Sequence, residues 1–224
     1  MKRLLLAIAT IAGLVSPVSA GDWQGFYIGG QFGHGRGDND HAFVFLGTPG
    51  EVDFGIKGFS GGGTIGYNVQ VNPNWVLGVE SDFSKTNIKG SAPDSATYGC
   101  APICETRVDS FGTVRARLGY ALNNVLFYGT GGYAFGRVNT RDQNCTLGNC
   151  GTPSVHGWAA GGGIEWIFTG GWSAKLEYLR VDFNRAIFQD SPTVNCGLAD
   201  GGCTVEAKFD TIRIGLNYRF GSGQ

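Results

Sequence analysis

The residues most able to do chemistry in this chain are charges set two apart inside otherwise apolar runs. Glu80 and Asp82 interrupt Trp75–Phe83, and Arg115 and Arg117 interrupt Phe111–Leu122. Glu165, Lys175 and Glu177 follow the same pattern, as does Arg213 in Ile212–Phe220. Four acids and four bases of this kind suit mutual ion pairing. Acid–base or nucleophilic catalysis needs a placed base, a nucleophile and an orienting group. The chain has 3 histidines, His34, His41 and His156, all in or near polar segments. His156 close to Ser154 is the one pair of interest, and an exposed histidine near a serine is ordinarily incidental. No enzyme activity, cofactor or metal is therefore expected.

The elements that hold these charges follow from their spacing. Successive strand side chains point to opposite faces. Val114, Ala116, Leu118, Tyr120 and Leu122 share one face of their segment, while Thr113, Arg115, Arg117 and Gly119 share the other. Near the end of the chain, Ile212, Ile214, Leu216, Tyr218 and Phe220 oppose Arg213, Asn217 and Arg219. Trp75, Leu77, Val79 and Phe83 oppose Glu80 and Asp82. One face suits hydrocarbon and the other a polar interior.

Turn signals at Asn72-Pro-Asn74, Asn123-Asn124 and Thr169-Gly-Gly171 alternate with long polar segments near 36–57, 89–106, 141–153 and 187–204. This divides the chain into eight strands, near 23–35, 58–71, 75–88, 107–122, 125–140, 154–168, 172–186 and 205–220. Short turns on one side and long loops on the other are the pattern of a bacterial outer-membrane barrel. The fold class expected is all-β: an eight-stranded, antiparallel, up-and-down transmembrane β-barrel with four long outer loops and three short periplasmic turns. A soluble calyx would reverse the faces and leave the aromatics Trp75, Tyr120, Trp166, Trp172, Tyr218 and Phe220, gathered near the short turns, without a role. In a membrane barrel they form an interfacial girdle.

The turns also set registers. A two-residue type I′ turn at Asn123-Asn124 pairs Leu122 with Val125 and Arg117 with Thr130. The glycine turn sets Phe168 opposite Trp172, Ile164 opposite Leu176 and Gly162 opposite Tyr178. It also sets Glu165 opposite Lys175, where a salt bridge is expected. A one-residue slip breaks all of these together.

Composition agrees. The 39 glycines and single methionine among 224 residues favour closely packed strands over helices. Residues 1–20 read as a secretory signal peptide: Lys2 and Arg3, an apolar run from Leu4 to Val15, and Val18-Ser-Ala20 as cleavage site. That run is short of the roughly 20 residues a spanning helix needs. Losing Lys2 and Arg3 takes the net charge from −1 to −3, so no nucleic-acid partner is expected. The barrel domain is 21–220, with 221–224 as a C-terminal extension.

The six cysteines fall in long loops on the outer side, an oxidising compartment that favours disulfides. Six cysteines allow 15 connectivities. Local pairing, Cys100–Cys104, Cys145–Cys150 and Cys196–Cys203, needs the least reach, and pairing across loops is the rival. A metal site lacks the two-residue cysteine spacing and histidine set it would use.

Six segments in order resemble small eight-stranded outer-membrane proteins: Trp23-Gln-Gly-Phe-Tyr-Ile-Gly-Gly30, Arg115-Ala-Arg-Leu-Gly-Tyr120, Tyr128–Gly136, Gly157–Glu165, Lys175-Leu-Glu-Tyr-Leu179 and Arg213–Phe220. The resemblance is to porin-like surface antigens of alphaproteobacteria, within the OmpA-type and opacity-protein class, and covers essentially all of 21–220. Those proteins usually finish on the aromatic residue, whereas this chain continues with Gly221-Ser-Gly-Gln224. The resemblance implies location in the cell outer membrane and a structural or surface-display role. The partners it implies are outer-membrane lipid, lipopolysaccharide and the barrel-insertion machinery, with any loop ligand unknown. Alternatives are a small solute porin, or capture of haem or a host surface by the loops. Glu80, Asp82, Arg115, Arg117, Glu165, Lys175, Glu177 and Arg213 become a lumen charge network. Balanced signs favour a salt-bridged plug over an ion-selective pore.

Overall fold

The computed structural model describes residues 22–45, 48–95, 98–142, 152–189 and 203–220. The chain runs β1 (Gly25–Phe45), β2 (Thr48–Gln70), β3 (Trp75–Ser95), β4 (Tyr98–Leu122), β5 (Val125–Asp142), β6 (Ser154–Thr169), β7 (Trp172–Phe183), β8 (Ala186–Gln189) and β9 (Cys203–Arg219). Each barrel strand pairs antiparallel with the next, β7 with β9, and β9 closes onto β1. Closure leaves no unpaired edge, which a sheet in hydrocarbon requires. The short β8 continues the line of β7 after a break at Asn184 and Arg185 and pairs with the outer end of β9.

The three turns have different chemistry. Asn72 Oδ1 accepts from the backbone N–H of Asn74 at 3.0 Å and of Trp75 at 2.8 Å, holding the β2–β3 turn as an Asx turn. At the next turn only Asn123 takes a positive φ, 54°, so the geometry departs from the expected type I′. Its register is nonetheless Leu122 with Val125 and Arg117 with Thr130. At the third turn Gly170 and Gly171 both have positive φ, 51° and 82°. They leave Thr169 opposite Trp172, and the register shifts between Ile167 and Thr169. Phe168 is the extra residue of that bulge and does not face Trp172. Beyond it Ile164–Leu176, Gly162–Tyr178 and Glu165–Lys175 are opposed as the turn requires.

The strands continue well past the apolar band. Much of 36–57 and of 89–106 is paired strand and not loop: Arg36 to Phe45 pairs with Thr48 to Lys57, and Lys89 to Pro93 with Ile103 to Arg107. Backbone hydrogen bonding does not need a two-faced apolar pattern, so the ladder runs on after the pattern ends. Residues 1–21 and 221–224, on which the expected signal peptide and C-terminal extension fall, and the side chains of all six cysteines lie outside the described residues.

Outward positions form the lipid face. Along β3 the band from Trp75 to Phe83 spans about 27 Å of strand, or about 20 Å along the normal at a tilt of about 40°. The girdle residues stand at its short-turn rim: Trp75 packs on Tyr120 at 5.3 Å, Trp172 on Tyr218 at 5.1 Å, and Tyr218 on Phe220 at 5.1 Å. Trp166 packs on the bulged Phe168 at 5.7 Å.

Above the band, Asp40 on β1 stands opposite both Asp53 on β2 and Glu206 on β9. The hydrogen bond to Asp53, then burial, then the Asp53 charge push the Asp40 carboxyl up to about 6 from an ordinary 3.8. Between those values the folded barrel holds a proton that the unfolded chain has released. This contribution to stability is therefore fully present at low pH and is lost as pH rises through about 6. Amide exchange across 36–56, corrected for intrinsic rates, is expected to quicken between about pH 5 and about pH 7.5. The variant Asp40→Asn removes that dependence.

Candidate functional site: the filled lumen

Inward positions of the same strands meet at the barrel axis. An eight-stranded barrel is just wide enough for side chains to fill, and three layers fill this one. The outer layer is apolar: Ile56, Ile88, Val108, Phe111, Phe183 and Phe209 are among its buried members. The layer at the short-turn end is also apolar, with Trp23, Val76, Ala121, Leu126 and Tyr128 buried together. Trp23 reaches it because the chain before β1 folds under the barrel. Its backbone N–H donates to Gln70 Oε1 at 2.9 Å.

Between them lies the ionic layer, in which every charged side chain is at most 3% exposed. Arg115 binds Glu80 at 2.7 Å, Asp82 at 3.0 Å and Glu177 at 3.2 Å. Its Nε donates to Thr113 Oγ1 at 2.9 Å. Arg213 binds Asp82 at 3.0 Å, and both its Nε and its second terminal nitrogen reach Glu177 Oε1. Lys175 Nζ donates to both Glu80 oxygens at 3.0 Å. Arg117 pairs with Glu165 and lies over the Tyr128 ring, 3.7 Å from its centroid. Such a cation–π contact is worth most when desolvated.

All eight charges named from the sequence enter this layer, but not with the partners expected. Glu165 and Lys175 are opposed in register, yet no salt bridge joins them. The Lys175 stem crosses Gly215 and carries its ammonium to Glu80 on the far wall. Glu165 is instead held by Arg117, by the Ser173 hydroxyl at 2.5 Å and by Asn217 Nδ2 at 3.1 Å. In so narrow a lumen, reach across the axis competes with adjacency on the wall.

Sequence reasoning left several members out. Tyr27 donates to Glu80 at 2.8 Å and accepts from Arg117 at 3.4 Å. Tyr128 donates to Glu177 at 3.0 Å, Thr113 to Asp82 at 2.5 Å, and Gln31 to Asp82 at 3.2 Å. Arg219 adds a fifth base to four acids among the described residues. It donates to the Asp22 carbonyl at 3.2 Å and packs over the Trp23 ring at 4.9 Å. Strand parity marks Tyr27, Gln31, Tyr128 and Arg219 as inward. The apolar layers at both ends carry no such signal, because the two faces are alike there, as at Val76–Leu77 and Leu126–Phe127, or reversed, as at Ile88–Lys89.

The histidines lie elsewhere. His34 is outward and edge-on to Phe59 at 5.0 Å, and His156 is outward beside Tyr133 at 6.5 Å. The His41 side chain is outside the described residues.

This is an outer-membrane arrangement, hydrocarbon-facing outside and ion-paired inside, and the comparisons agree. The model of the outer membrane protein beta-barrel domain family matches residues 4–220. The chain belongs to that family. A 31 kDa outer-membrane immunogenic protein of Brucella melitensis is 35% identical over 216 residues, covering 92% of this chain and 87% of the relative. A 22 kDa outer membrane protein of Rhizobium leguminosarum is 29% identical over 202 residues, covering 90% and 80%. Among solved structures, the outer membrane protein OprG of Pseudomonas aeruginosa aligns over 88% of this chain and 96% of its own, at 11% identity and a TM-score of 0.49. This family member is an outer-membrane β-barrel protein, with buried salt bridges in its interior.

Removing one partner of a buried ion pair leaves an uncompensated charge. Glu177→Gln strips one carboxylate from two guanidiniums and is expected to cost about 3–5 kcal/mol. Lys208→Gln breaks only the exposed bridge to Glu206 and is expected to cost under about 1 kcal/mol. Urea midpoints of the barrel in lipid vesicles, followed by its heat-sensitive electrophoretic shift, measure both.

Proposed function

We propose that this barrel is a closed envelope protein that stabilises the outer membrane and displays its outer loops, without conducting solutes and without catalysis. The observation that carries the reading is the lumen packed in three layers. The central layer has nearly balanced charge, and an apolar layer lies above and below it. An ion entering from either side meets hydrocarbon side chains before it meets a charge. A selective pore would instead present a wet ring of one sign. Surface display is supported by the names of the Brucella relatives, which are outer-membrane immunogenic proteins.

The absence of catalysis is supported by where the candidates stand. Ser154 and His156 are outward on β6, with the ring beside Tyr133 and, among the described residues, no acid bonded to it. Loop capture of haem by His34 is weakened by its packing against Phe59 on the barrel wall.

Planar bilayer recording of the purified, refolded protein tests the closed lumen. The expected outcome is no stable conductance step at moderate voltage. Reproducible unitary channels overturn the reading and favour a small porin.

A further inference from the structure

The outward face of β1–β4 carries a row of cations that the filled lumen does not explain. Arg36 stands opposite Lys57, Lys57 opposite Lys89, and Lys89 opposite Arg107. Neighbouring strands are about 4.8 Å apart, so four cations line up over about 15 Å. Like charges directly opposite one another destabilise a sheet. Lys85 lies nearer the apolar band, 5.9 Å from the Phe83 ring. The acids nearby are few. Asp109 binds Arg107 at 3.1 Å. Asp210 stands opposite Arg36 but is engaged by Arg180 at 3.4 Å and by the Tyr178 hydroxyl at 2.7 Å. Asp38 is two residues beyond Arg36. Among the described residues no carboxylate lies within ion-pair distance of Arg36, Lys57, Lys85 or Lys89.

The wall beneath this row is shaped. Gly30 and Gly63 are opposite each other and outward, and Gly61 is next to Gly63 on the same face. A Cβ at any of the three would meet nothing closer than 3.7 Å. The result is a trough in the lipid-facing surface. Phe32 and Phe59, stacked at 5.6 Å, flank its upper end, and Phe83 flanks its side. Lys85 is directly opposite Gly61 at the trough's mouth. The short-turn rim has the opposite character: its outward residues are Trp75, Tyr120, Trp166, Trp172, Tyr218 and Phe220, with no lysine or arginine among them.

We propose that the outward face of β1–β4 binds a phosphorylated, acylated glycolipid of the outer leaflet. Phosphates sit on Arg36, Lys57, Lys85 and Lys89, and one acyl chain lies in the Gly30–Gly61–Gly63 trough. Cations just above an apolar band occupy the level of lipid headgroups, and the short turns mark the other rim as periplasmic. Charge complementarity selects an anion. The trough directly below selects an anion that carries a hydrocarbon chain over free phosphate. The site lies on the outer wall and is independent of whether the lumen conducts.

Native mass spectrometry of the whole refolded barrel in neutral detergent tests this. The probes are bis-phosphorylated lipid A, its dephosphorylated form, its deacylated bis-phosphorylated headgroup and phosphatidylglycerol. Wild type is expected to hold one lipid A, with the other three probes each at least about tenfold weaker. The variant Lys57→Gln/Lys89→Gln is expected to weaken lipid A binding about tenfold or more, while Lys208→Gln leaves it unchanged. Gly63→Leu fills the trough and is expected to weaken lipid A several-fold without changing binding of the deacylated headgroup. Each variant is first checked for the heat-dependent mobility shift of a folded barrel. Equal lipid A binding by wild type and both site variants overturns the proposal. So does equal affinity for the dephosphorylated form, for phosphatidylglycerol or for the deacylated headgroup.

Discussion

Everything in this structure depends on one constraint: a barrel strand has two faces, and through the middle of the membrane band they must differ. In the membrane band the outside is hydrocarbon. An arginine facing lipid at the midplane costs roughly 2–4 kcal/mol, so Arg115 and Arg117 are fixed inward by the solvent on the other side. Once inward, they enter a space too narrow for bulk water. The same burial that keeps them from lipid then demands carboxylates, and β3, β6 and β7 supply Glu80, Asp82, Glu165 and Glu177.

Those carboxylates are shared and not matched one to one. Glu177 serves Arg115, Arg213 and Tyr128; Glu80 serves Arg115, Lys175 and Tyr27; Asp82 serves Arg115, Arg213, Thr113 and Gln31. Sharing lets each buried oxygen find more than one donor, as burial of charge requires. It also ties strands far apart in sequence. Arg213 on β9 and Asp82 on β3 are not neighbours on the wall, and their bond spans the lumen. The plug therefore braces the barrel from within, in addition to the ladder that closes it.

The eight strands, the short turns and the two faces were legible in the sequence because period-2 alternation and turn residues are local signals. Glu165 opposite Lys175 followed from a turn count and is correct as a register. Their expected salt bridge was not legible, because partner choice depends on reach across a lumen whose width no local signal encodes. Phe168 failed for a related reason: Gly170 and Gly171 alone form the turn, and the leftover residue became a bulge. The paired extensions beyond the band were hidden because their sequence is polar on one face and mixed on the other. Arg219 lay in plain view on the inward face. Besides Glu165 at 3.8 Å, it meets the Trp23 ring and the Asp22 carbonyl, which belong to a segment before the first strand that carries no alternation.

The layering of the lumen follows from the same two-face rule. Sheet register slips by one residue unless the faces differ. Where the outside is lipid, an apolar interior would make both faces alike, and a slip would cost little. The ionic layer removes that ambiguity, because a slip would carry its arginines into hydrocarbon. Above the band the outside changes to Lys89 and Arg107, and the interior beside them changes to Ile88 and Val108. Here a slip would drive charge into an apolar core. At both of these heights the interior is thus the opposite of its surroundings, and the polarity along the lumen inverts where the membrane ends; only the layer at the short-turn end, with Val76 and Leu126 inside and Trp75 and Phe127 outside, is apolar on both faces. An apolar core throughout would have packed at least as stably, since buried ion pairs are often matched by hydrophobic replacements. What the ionic layer adds is a single register in the part of the barrel where water is absent on both sides.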